Sequence, residues 1–373
     1  VPGGVSSGHR RVRRTIGAGI DRIVLHDLEM PLRAPFSAAH GTLTTRRVSL
    51  VEMRDGEHTG WGECGPIPGY SAESYETCRT ALEAAAQEAV GVPPDELVDD
   101  TLENAEARHA LAGAAWDLVA RRDGIPLWRL LGGVRPGVPA GAAVGLGTAP
   151  LDDVAALVAA GYRAVKVKID PSVDAGLLRA IRERFPDLVL GADGNGSFST
   201  HDPSLLDAID AVGFDYLEQP LLPGDWDGHA LLSGELATPI ALDESIATLD
   251  DVHLAIETGA AAILALKPAR LGGLDVMRAA HDAAVVARVA LRAGGMVETG
   301  VGRAFAFAAA SLPGFSVPGD LGGSDRHWER DLIDPPWTVG DGVVALSGLP
   351  GAGIDLDRER LAAVAVGITD FSP

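Results

Sequence analysis

The middle of the chain repeats a pattern in which a short apolar run ends at a polar residue and an amphipathic segment follows. Five such runs occupy residues 163–169, 188–194, 214–220, 239–245 and 262–268. The segments between them mix alanine and leucine with charge on one side, and several end at a glycine, as residues 151–161 and 249–259 do. This composition is typical of surface helices. Strand and helix in alternation predict a parallel sheet whose strands are joined by helical crossovers.

The pattern continues on both sides and predicts that the sheet closes. Residues 138–145 are expected to form the first strand, 288–293 the seventh and 315–319 the eighth. An open doubly wound sheet is the alternative, but it would carry a glycine-rich phosphate loop after the first strand, and no G-x-G-x-x-G sequence stands there. We therefore predict the fold class α/β, with a (β/α)7β barrel of the TIM type over residues 133–341.

The residues before the barrel follow a different pattern. Alternating polar and apolar positions predict three strands in an antiparallel meander, at residues 23–32, 47–53 and 59–63. Two helices are predicted to follow, over residues 72–90 and 102–122. We expect an α+β capping domain over residues 21–132, a loose leader over residues 1–20, and a C-terminal segment over residues 342–373 that returns to the capping domain.

Composition and charge narrow the classes of function. The 373 residues are 46% hydrophobic, which is typical of a globular protein rather than a disordered one. The 52 acidic and 31 basic residues give a net charge of −21, which would repel nucleic acid and anionic membranes. Cys64 and Cys78 are too few for a disulfide framework or a thiolate zinc site, and no apolar run approaches the roughly 18 residues of a membrane span. We expect a cytoplasmic protein with no nucleic-acid or membrane partner.

Candidate chemistry lies at the ends of the five apolar runs. Lys168, Asp193, Glu218, Asp243 and Lys267 follow one another at separations of 25, 25, 25 and 24 residues. A barrel brings the C-terminal ends of its strands to one mouth, so these side chains are expected to converge. A single acidic residue at a strand end is more often solvated or a helix cap, but three that face one another would repel unless a cation lies between them. Oxygen ligands without Cys or His indicate Mg²⁺, for which Mn²⁺ could substitute.

Two lysines share one strand. Lys166 and Lys168 are two residues apart, so both side chains leave the same face of the strand. Neighbouring ammonium groups, near a cation, are expected to lower a lysine pKa from about 10.4 toward the range of about 7 to 8 that suits a general base. Lys267 would enter from across the barrel. Arg270 either adds a positive field beside Lys267 or is a solvated loop residue; the sequence leaves both open.

A carboxylate-bound cation between two lysines suits one class of reaction. Removal of a proton α to a carboxylate produces a doubly negative ene-diolate, which water stabilises poorly. A divalent cation would neutralise that charge, one lysine would take the proton, and the other would shield the charge or return a proton from the opposite face.

The same residues resemble a known family. The sequences K-V-K at 166–168, D-G-N at 193–195, E-Q-P at 218–220, D-E-S at 243–245 and K-P at 267–268 resemble, in this order, the muconate lactonizing enzyme subgroup of the enolase superfamily. The resemblance covers roughly residues 21–345. Residues 267–273, 294–304 and 311–321 are similar to the branch that holds o-succinylbenzoate synthases and N-acylamino acid racemases.

The resemblance implies roles for the strand-end residues. Lys168 would abstract the α-proton, Lys267 would stand opposite it, and Asp193, Glu218 and Asp243 would bind Mg²⁺. The substrate would be a small-molecule carboxylate, and we expect a homo-oligomer. Further residues implied to surround the substrate are Lys166, Asn195, Arg270 and Met296, with Gln219 and Glu244 supporting the metal ligands from behind.

The resemblance also implies an activity. We expect a carbon–oxygen lyase, an o-succinylbenzoate synthase that performs a Mg²⁺-dependent syn-dehydration in menaquinone biosynthesis. The alternative is racemisation of N-acylamino acids, in particular N-succinylamino acids, by an isomerase or by a bifunctional enzyme. A dipeptide epimerase is less favoured, because its usual pair of acids is reduced to Asp320, and so is another muconate cycloisomerase-like activity. A Schiff-base aldolase would have no use for three metal ligands, and a metal-binding module without catalysis is the non-enzymatic rival.

Three positions depart from this branch. Ala143 stands where a serine usually faces the substrate, Ala306 where an asparagine is usual, and His40 where the capping loop more often has a phenylalanine. Because of these differences the sequence does not identify the side chain of the substrate, since a lost hydroxyl removes a hydrogen bond of about 1 kcal/mol.

Overall fold

The N-terminal part of the chain forms a sheet with two helices against it. The computed structural model describes residues 19–38, 41–97, 102–145 and 149–373, so residues 1–18 of the predicted leader and His40 lie outside the described residues. The meander predicted from the alternating pattern is present as β1 (Arg22–Ala38), β2 (Gly41–Asp55) and β3 (His58–Cys64).

The helices α1 (Tyr75–Ala89) and α2 (Ala105–Arg122) begin slightly later than predicted. Capping explains the difference, because the side chains of Ser74 and Asn104 accept hydrogen bonds from the first turn of each helix and so fix where it starts. Helix α2 lies against β3 at glycines. A Cβ atom on Gly62 would stand only 1.9 Å from a carbonyl oxygen of α2, so a larger residue at this position would force strand and helix apart.

Parallel strands alternate with helices through the centre of the chain. The elements are α3 (Leu127–Leu130), β4 (Gly137–Pro139), β5 (Gly141–Val144), α4 (Pro150–Ala159), β6 (Ala164–Lys168), α5 (Ala175–Arg184), β7 (Val189–Asp193), α6 (Pro203–Asp210), β8 (Tyr216–Glu218), α7 (Trp226–Glu235), β9 (Ile240–Leu242), α8 (Leu249–Thr258), β10 (Ile263–Leu266), α9 (Pro268–Leu271), α10 (Leu274–Ala287), β11 (Ala290–Ala293) and α11 (Gly300–Ala310). Within the described residues, β5 to β11 form one parallel sheet in chain order, which fills the first seven strand positions of the predicted barrel.

The eighth position is occupied by an irregular segment rather than by a regular strand. Phe315 makes a single parallel bridge to Leu291 of β11, and Val317 N donates to Leu291 O at 3.1 Å. Gly319 packs against the first strand, because a Cβ atom on Gly141 would lie 2.3 Å from its carbonyl oxygen. The predicted (β/α)7β architecture is confirmed, but the prediction of a regular eighth strand is wrong, since Pro318 has no N–H to donate to a strand ladder.

The C-terminal segment runs back along the molecule. Strand β12 (Val343–Ala345) pairs with β4, a short helix α12 (Arg358–Val364) follows, and β13 (Ala365–Phe371) pairs antiparallel with β1. The N-terminal sheet therefore has the order β13-β1-β2-β3. Where one domain ends and the next begins stays a prediction. No helix in the described part of the chain is both long enough and apolar enough to cross a membrane.

Candidate active site

Three carboxylates meet at the C-terminal edge of the parallel sheet. Asp193 ends β7, Glu218 ends β8, and Asp243 follows β9 directly. Asp193 and Glu218 are register partners, so their side chains leave neighbouring strands at the same level. All three are buried, with exposed fractions of 0%, 0% and 4%. Buried carboxylates require positive partners, and this edge of the sheet, which we call the mouth, supplies several.

Lys166 sits among the acids. Its Nζ lies 2.9 Å from Asp193 Oδ2 and 2.6 Å from Asp320 Oδ2, and it also donates to Glu218. Burial alone would lower the pKa of Lys166, but these three carboxylates raise it well above its usual value. For Lys166 this direction is opposite to the sequence-based expectation of a lowered lysine pKa, because the three carboxylates outweigh the neighbouring positive charges.

Lys168 is the more accessible lysine of this strand. Its Nζ donates to Asp193 Oδ2 at 2.9 Å and to Asn195 Oδ1 at 2.7 Å, and its side chain is 23% exposed. Asn195 in turn donates to Glu244 Oε1 at 2.8 Å. Lys166 and Lys168 both reach Asp193, so they leave the same face of β6, as expected from their spacing. A partly exposed amine held by two oxygen atoms can meet a ligand without a large movement.

Lys267 lies on the other side of Asp243. Its Nζ is 2.5 and 2.6 Å from the two Asp243 carboxylate oxygens, and it donates to the hydroxyl of Tyr70 from the capping domain. Arg270 Nη1 donates to the Asp243 carbonyl at 2.6 Å and to Oδ1 at 3.0 Å. Burial lowers the pKa of Lys267 and outweighs the opposing effect of Asp243. Burial would raise the pKa of Asp243, but Lys267 and Arg270 hold it well below its usual value.

Arg292 is a functional candidate that the sequence analysis missed. It donates to Glu218 Oε2 and, at 2.6 Å, to Asp320 Oδ1, and it is 1% exposed. Burial raises the pKa of Glu218 to about 7, because it outweighs Arg292 and Lys166. The available signal was a single arginine inside the otherwise apolar run of β11, a position that points into the barrel. Tyr70 was also missed, and it lies in a turn with no local pattern.

The lysine content gives a second signal that the sequence analysis did not use. The whole chain has 31 basic residues, yet Lys166, Lys168 and Lys267 are its only lysines. Every other basic residue counted there is an arginine, which keeps its proton at any physiological pH, whereas lysine can lose one. The chain therefore places every lysine it has at the mouth, where proton transfer is expected.

Gln219 joins the ends of two strands behind the acids. Its Oε1 accepts hydrogen bonds from the backbone N–H groups of Asp243 and Ser245, both at 3.1 Å, and its Nε2 donates to Ser245 Oγ at 2.8 Å. Gln219 has φ 38° and Asn195 has φ 43°, so both adopt the left-handed conformation where a strand ends. These two turns set the direction in which the neighbouring carboxylates point.

A cavity of about 260 Å³ opens above these side chains. Its walls combine the charged groups of the mouth with apolar residues of the capping domain and with a basic edge near β5; they include Lys166, Lys168, Asn195, Lys267, Phe36, Leu43, Ile67, Tyr70, Ala143, Arg303, Arg326 and His327. Arg270 and Met296, which were expected to contact substrate, are absent from this lining. Met296 is buried under the loop, with 2% exposure, and Gly295 and Val297 form that part of the wall instead.

The donor set fits a hard divalent cation. In the described part of the chain, no three His, Cys, Asp or Glu side chains are already arranged to hold a metal ion, and lysine and arginine groups stand beside the acids. The ammonium of Lys166 bridges Asp193 and Glu218, so those two carboxylates can share one cation. Asp193, Glu218 and Asp243 are the buried oxygen donors on adjacent strands that could hold it.

Comparison with known proteins agrees with this geometry. Residues 20–132 match the family model of the mandelate racemase / muconate lactonizing enzyme N-terminal domain, and residues 151–360 match the enolase C-terminal domain-like model. The chain is 38% identical over 356 residues to an o-succinylbenzoate synthase of Geobacillus kaustophilus, covering 92% of this chain and 95% of that protein. It is 36% identical over 349 residues to an N-succinylamino acid racemase of Thermus thermophilus, covering 90% and 95%. A solved structure of a probable mandelate racemase from Alicyclobacillus acidocaldarius matches with a TM-score of 0.87 at 35% identity, covering 94% and 98%.

Proposed function

This chain belongs to the enolase superfamily, within the mandelate racemase / muconate lactonizing enzyme family, and we propose that it is an o-succinylbenzoate synthase. It is an enzyme of a superfamily whose members bind a divalent metal. The observation that carries the proposal is that Lys168 and Lys267 line the same cavity, each held by a different one of the three buried carboxylates. The similarity to curated synthases supports the choice of reaction.

Lys168 takes the proton α to the substrate carboxylate in this proposal. It is the more exposed of the two lysines on β6, and Asn195 and Asp193 hold its Nζ at the edge of the cavity. Lys267 stands on the opposite wall, where Tyr70 and Asp243 fix its position. In dehydration Lys267 shields negative charge, so only one lysine moves a proton.

Asp193, Glu218 and Asp243 would hold Mg²⁺, for which Mn²⁺ could substitute. When bound, the ion supplies positive charge that offsets the second negative charge developed on the substrate carboxylate. Gln219 and Glu244 support the ligands from behind, Gln219 through backbone groups of the Asp243 turn and Glu244 through Asn195.

Formal charge at the mouth favours a substrate with two negative charges. Five carboxylates stand beside five basic groups, so their formal charges cancel. The carboxylates are Asp193, Glu218, Asp243, Glu244 and Asp320, and the basic groups are Lys166, Lys168, Lys267, Arg270 and Arg292. A divalent cation would leave a surplus of two positive charges. A dicarboxylate such as o-succinylbenzoate or its precursor offsets this surplus, whereas a neutral substrate does not.

Racemisation of N-succinylamino acids is the second candidate. It is favoured by the position of Lys267, whose pKa is lowered by burial and which could exchange a proton from the face opposite Lys168. The similarity to the racemase of Thermus thermophilus supports the same alternative. One site could perform both reactions, since they share the first proton abstraction.

The deciding experiment is an assay of the purified, Mg²⁺-loaded protein with two substrate classes. The cyclohexadiene precursor of o-succinylbenzoate tests dehydration, and N-succinylamino acids in deuterated water test exchange of the α-proton. Lys168→Ala is expected to abolish both reactions. Lys267→Arg is expected to abolish racemisation and retain dehydration if the site is bifunctional. If neither substrate class reacts, both candidate functions are wrong.

A further inference from the structure

The cavity has a basic edge that the proposed chemistry does not use. Arg326 ends a short 3-10 helix (Ser324–Arg326), and its Nη2 donates to the carbonyl oxygen of Ala143 at 3.1 Å. Both residues line the cavity. The guanidinium is therefore held at the wall through a backbone oxygen, which leaves its charge uncompensated by that bond.

Arg326 differs in its partners from the other arginines of the site. Arg270 pairs with Asp243, Arg292 with Glu218 and Arg303 with Glu298. Arg326 has no ion pair with any residue that the structure describes, although it is only half-buried and borders the same cavity. A guanidinium in this state can form two parallel hydrogen bonds with an incoming carboxylate.

The topology places Arg326 across the mouth from two of the three acids proposed to bind the metal. Ala143 belongs to β5, the first strand of the barrel, and the segment after residue 315 occupies the eighth position. Glu218 ends β8, the fourth strand, and in an eight-position barrel the fourth strand lies across the mouth from the boundary between the eighth and the first. Arg326 therefore stands across the mouth from Glu218 and Asp243, and Asp243 lines the same cavity as Arg326.

The residues around Arg326 add no net charge of their own. His327 also lines the cavity, and burial lowers its pKa well below the usual range, with Arg303, Arg326 and Arg46 acting in the same direction. His327 is consequently neutral at pH 7 and offers no charge of its own. Glu298 balances Arg303, so the guanidinium of Arg326 supplies the net charge of this edge.

We propose that Arg326 determines substrate specificity by receiving the second carboxylate of a dicarboxylate substrate, at the edge of the cavity across the mouth from Glu218 and Asp243. This inference rests on the proposed function, in which Lys168 removes the proton next to the first carboxylate and the three acids would hold the metal ion. Both candidate substrates carry a succinyl group whose free carboxylate extends away from the reacting carbon. Ala143 offers no side-chain donor there, and its carbonyl oxygen orients Arg326 instead.

Binding measurements test this without requiring turnover. The probes are o-succinylbenzoate and its monoamide at the succinyl carboxylate, which have nearly the same shape and differ by one charge. Calorimetry on the Mg²⁺-loaded protein is expected to show that Arg326→Gln weakens the dicarboxylate by about tenfold or more, since a charge-assisted pair is lost. The affinity for the monoamide is expected to stay within about twofold.

Matched variants separate charge from structure. Arg326→Lys keeps the charge and is expected to recover much of the preference for the dicarboxylate. Arg33→Gln removes a guanidinium from the same neighbourhood, where it donates to the Asp325 carbonyl at 3.1 Å outside the cavity, and is expected to change neither affinity. The ratio of the two affinities within one variant does not depend on the fraction of folded protein.

The outcomes distinguish this inference from the proposed function. Arg326 has no such role if Arg326→Gln weakens both ligands equally or neither of them. If the wild-type protein prefers the dicarboxylate through Arg326 but turns over neither substrate class, the role of Arg326 is supported and the proposed function is wrong. If the wild-type protein turns over its substrate but binds both probes equally well, the proposed function is supported and the role of Arg326 is wrong. If the wild-type protein binds neither probe, both proposals are overturned.

Discussion

Two regions of the described structure bury charged side chains and satisfy them in different ways. At the mouth, lysines and arginines pair with carboxylate side chains beside an open cavity. At the junction between the capping domain and the barrel, which comprises Arg46, Glu63, Glu106 and the loop 296–299, buried charges bind mainly to backbone groups. Side-chain pairs can rearrange when a ligand arrives, whereas backbone groups hold a charge in one place. The mouth is therefore suited to chemistry, and the junction to fixing the shape of the mouth.

Arg46 shows how the junction joins the two domains. It is 2% exposed, and its Nη1 donates to Pro66 O at 2.8 Å while its Nε donates to Val297 O at 3.3 Å. Further donations reach the carbonyl oxygens of Gly65 and Met296. One guanidinium thus connects a capping loop with the barrel loop after β11. Arginine suits this position because its charge is permanent and its donors are fixed in a plane.

The loop held by Arg46 is strained at the cavity wall. Val297 has φ 56°, in the left-handed region that β-branched residues rarely adopt. Such a conformation costs about 1–3 kcal/mol and persists only when the surroundings enforce it. Val297 lines the cavity, so the bond from Arg46 to its carbonyl helps to keep this part of the wall in place.

The largest effect is expected from a substitution at the mouth, which should lower the reaction rate without changing the stability of the fold. Lys168→Ala should reduce kcat by about a thousandfold or more, since a positioned general base contributes about 10²- to 10⁴-fold. The free energy of unfolding should change little, because Lys166 still pairs with Asp193. Steady-state kinetics and urea unfolding of the same preparations measure the two quantities.

Lys168→Arg is the matched control for charge. It keeps a positive partner for Asp193 but cannot give up its proton, so it should be as inactive as the alanine variant. Substantial activity in Lys168→Arg would mean that the charge of Lys168, and not proton transfer, is what the reaction needs. That result would contradict the distinction between a mouth whose charged groups take part in the reaction and a junction whose charged groups hold the structure.

The next largest effect is expected at the junction and on stability. Arg46→Met removes a buried charge and leaves several carbonyl oxygens without a donor, which should cost about 3–5 kcal/mol. Arg46→Lys keeps the charge with fewer donors and should cost less. Urea unfolding measures both variants. A loss below about 1 kcal/mol would show that Arg46 is not what joins the domains.

The sequence predicted the mouth well because the fold converts spacing into proximity. Lys168, Asp193, Glu218, Asp243 and Lys267 recur at strand ends, and a barrel brings all strand ends together. Arg292 and Arg326 do not sit at such positions. One lies inside an apolar run and the other follows the irregular eighth segment, so no period marks them.

The junction could not be predicted in the same way. Arg46 and Val297 are 251 residues apart, and Glu63 and Thr299 are 236 apart. Their pairing depends on how two domains dock, which no local pattern encodes. A buried arginine bound to carbonyl oxygens also looks, in the sequence, like any polar residue of an alternating strand.

Glu106 should produce a pH-dependent effect of up to about 3 kcal/mol. Burial raises its pKa from 4.5 to about 7, against the opposing effects of Ser71 and Arg46. The unfolded chain releases this proton near pH 4.5 but the folded protein retains it until about pH 7, so stability is highest below 4.5 and falls as the pH rises through 7. The limit follows from about 1.36 kcal/mol per pKa unit. Glu106→Gln stays neutral and should remove this fall, which urea unfolding at pH 5 and pH 8 would detect.

Glu52 provides a glutamate with the opposite behaviour. Burial would raise its pKa, but His26 and Arg54 lower it to about 2. Its stabilising contribution is therefore present above pH 4.5 and is lost as the pH falls through 2. Glu52→Gln should destabilise the protein at neutral pH, whereas Glu106→Gln should stabilise it. The same sign for both variants would contradict the assignment of burial as the dominant influence on Glu106.

The smallest effect is expected where the capping domain caps a barrel helix. Glu63 accepts the N–H groups of Thr299 at 3.0 Å and Gly302 at 2.8 Å, and α11 begins at Gly300. Burial raises the pKa of Glu63, and the hydrogen bonds from Thr299 and Gly302, together with the positive end of the helix dipole, oppose that rise. Glu63→Gln keeps one acceptor but turns an amide N–H₂ toward a backbone donor, so it should cost about 1–2 kcal/mol of unfolding free energy.

Glu76→Gln is the control for this last variant, because Glu76 is an exposed glutamate paired with Arg47 at the surface and its loss should be undetectable. In Glu63→Gln, kcat should stay near the wild-type value while the urea midpoint falls. A loss of kcat without a loss of stability would place Glu63 among the groups that serve the reaction. Glu63 would then be a charge that is bound to backbone groups and yet serves the reaction. That would contradict the distinction between side-chain pairs that serve chemistry and backbone-bound charges that serve structure.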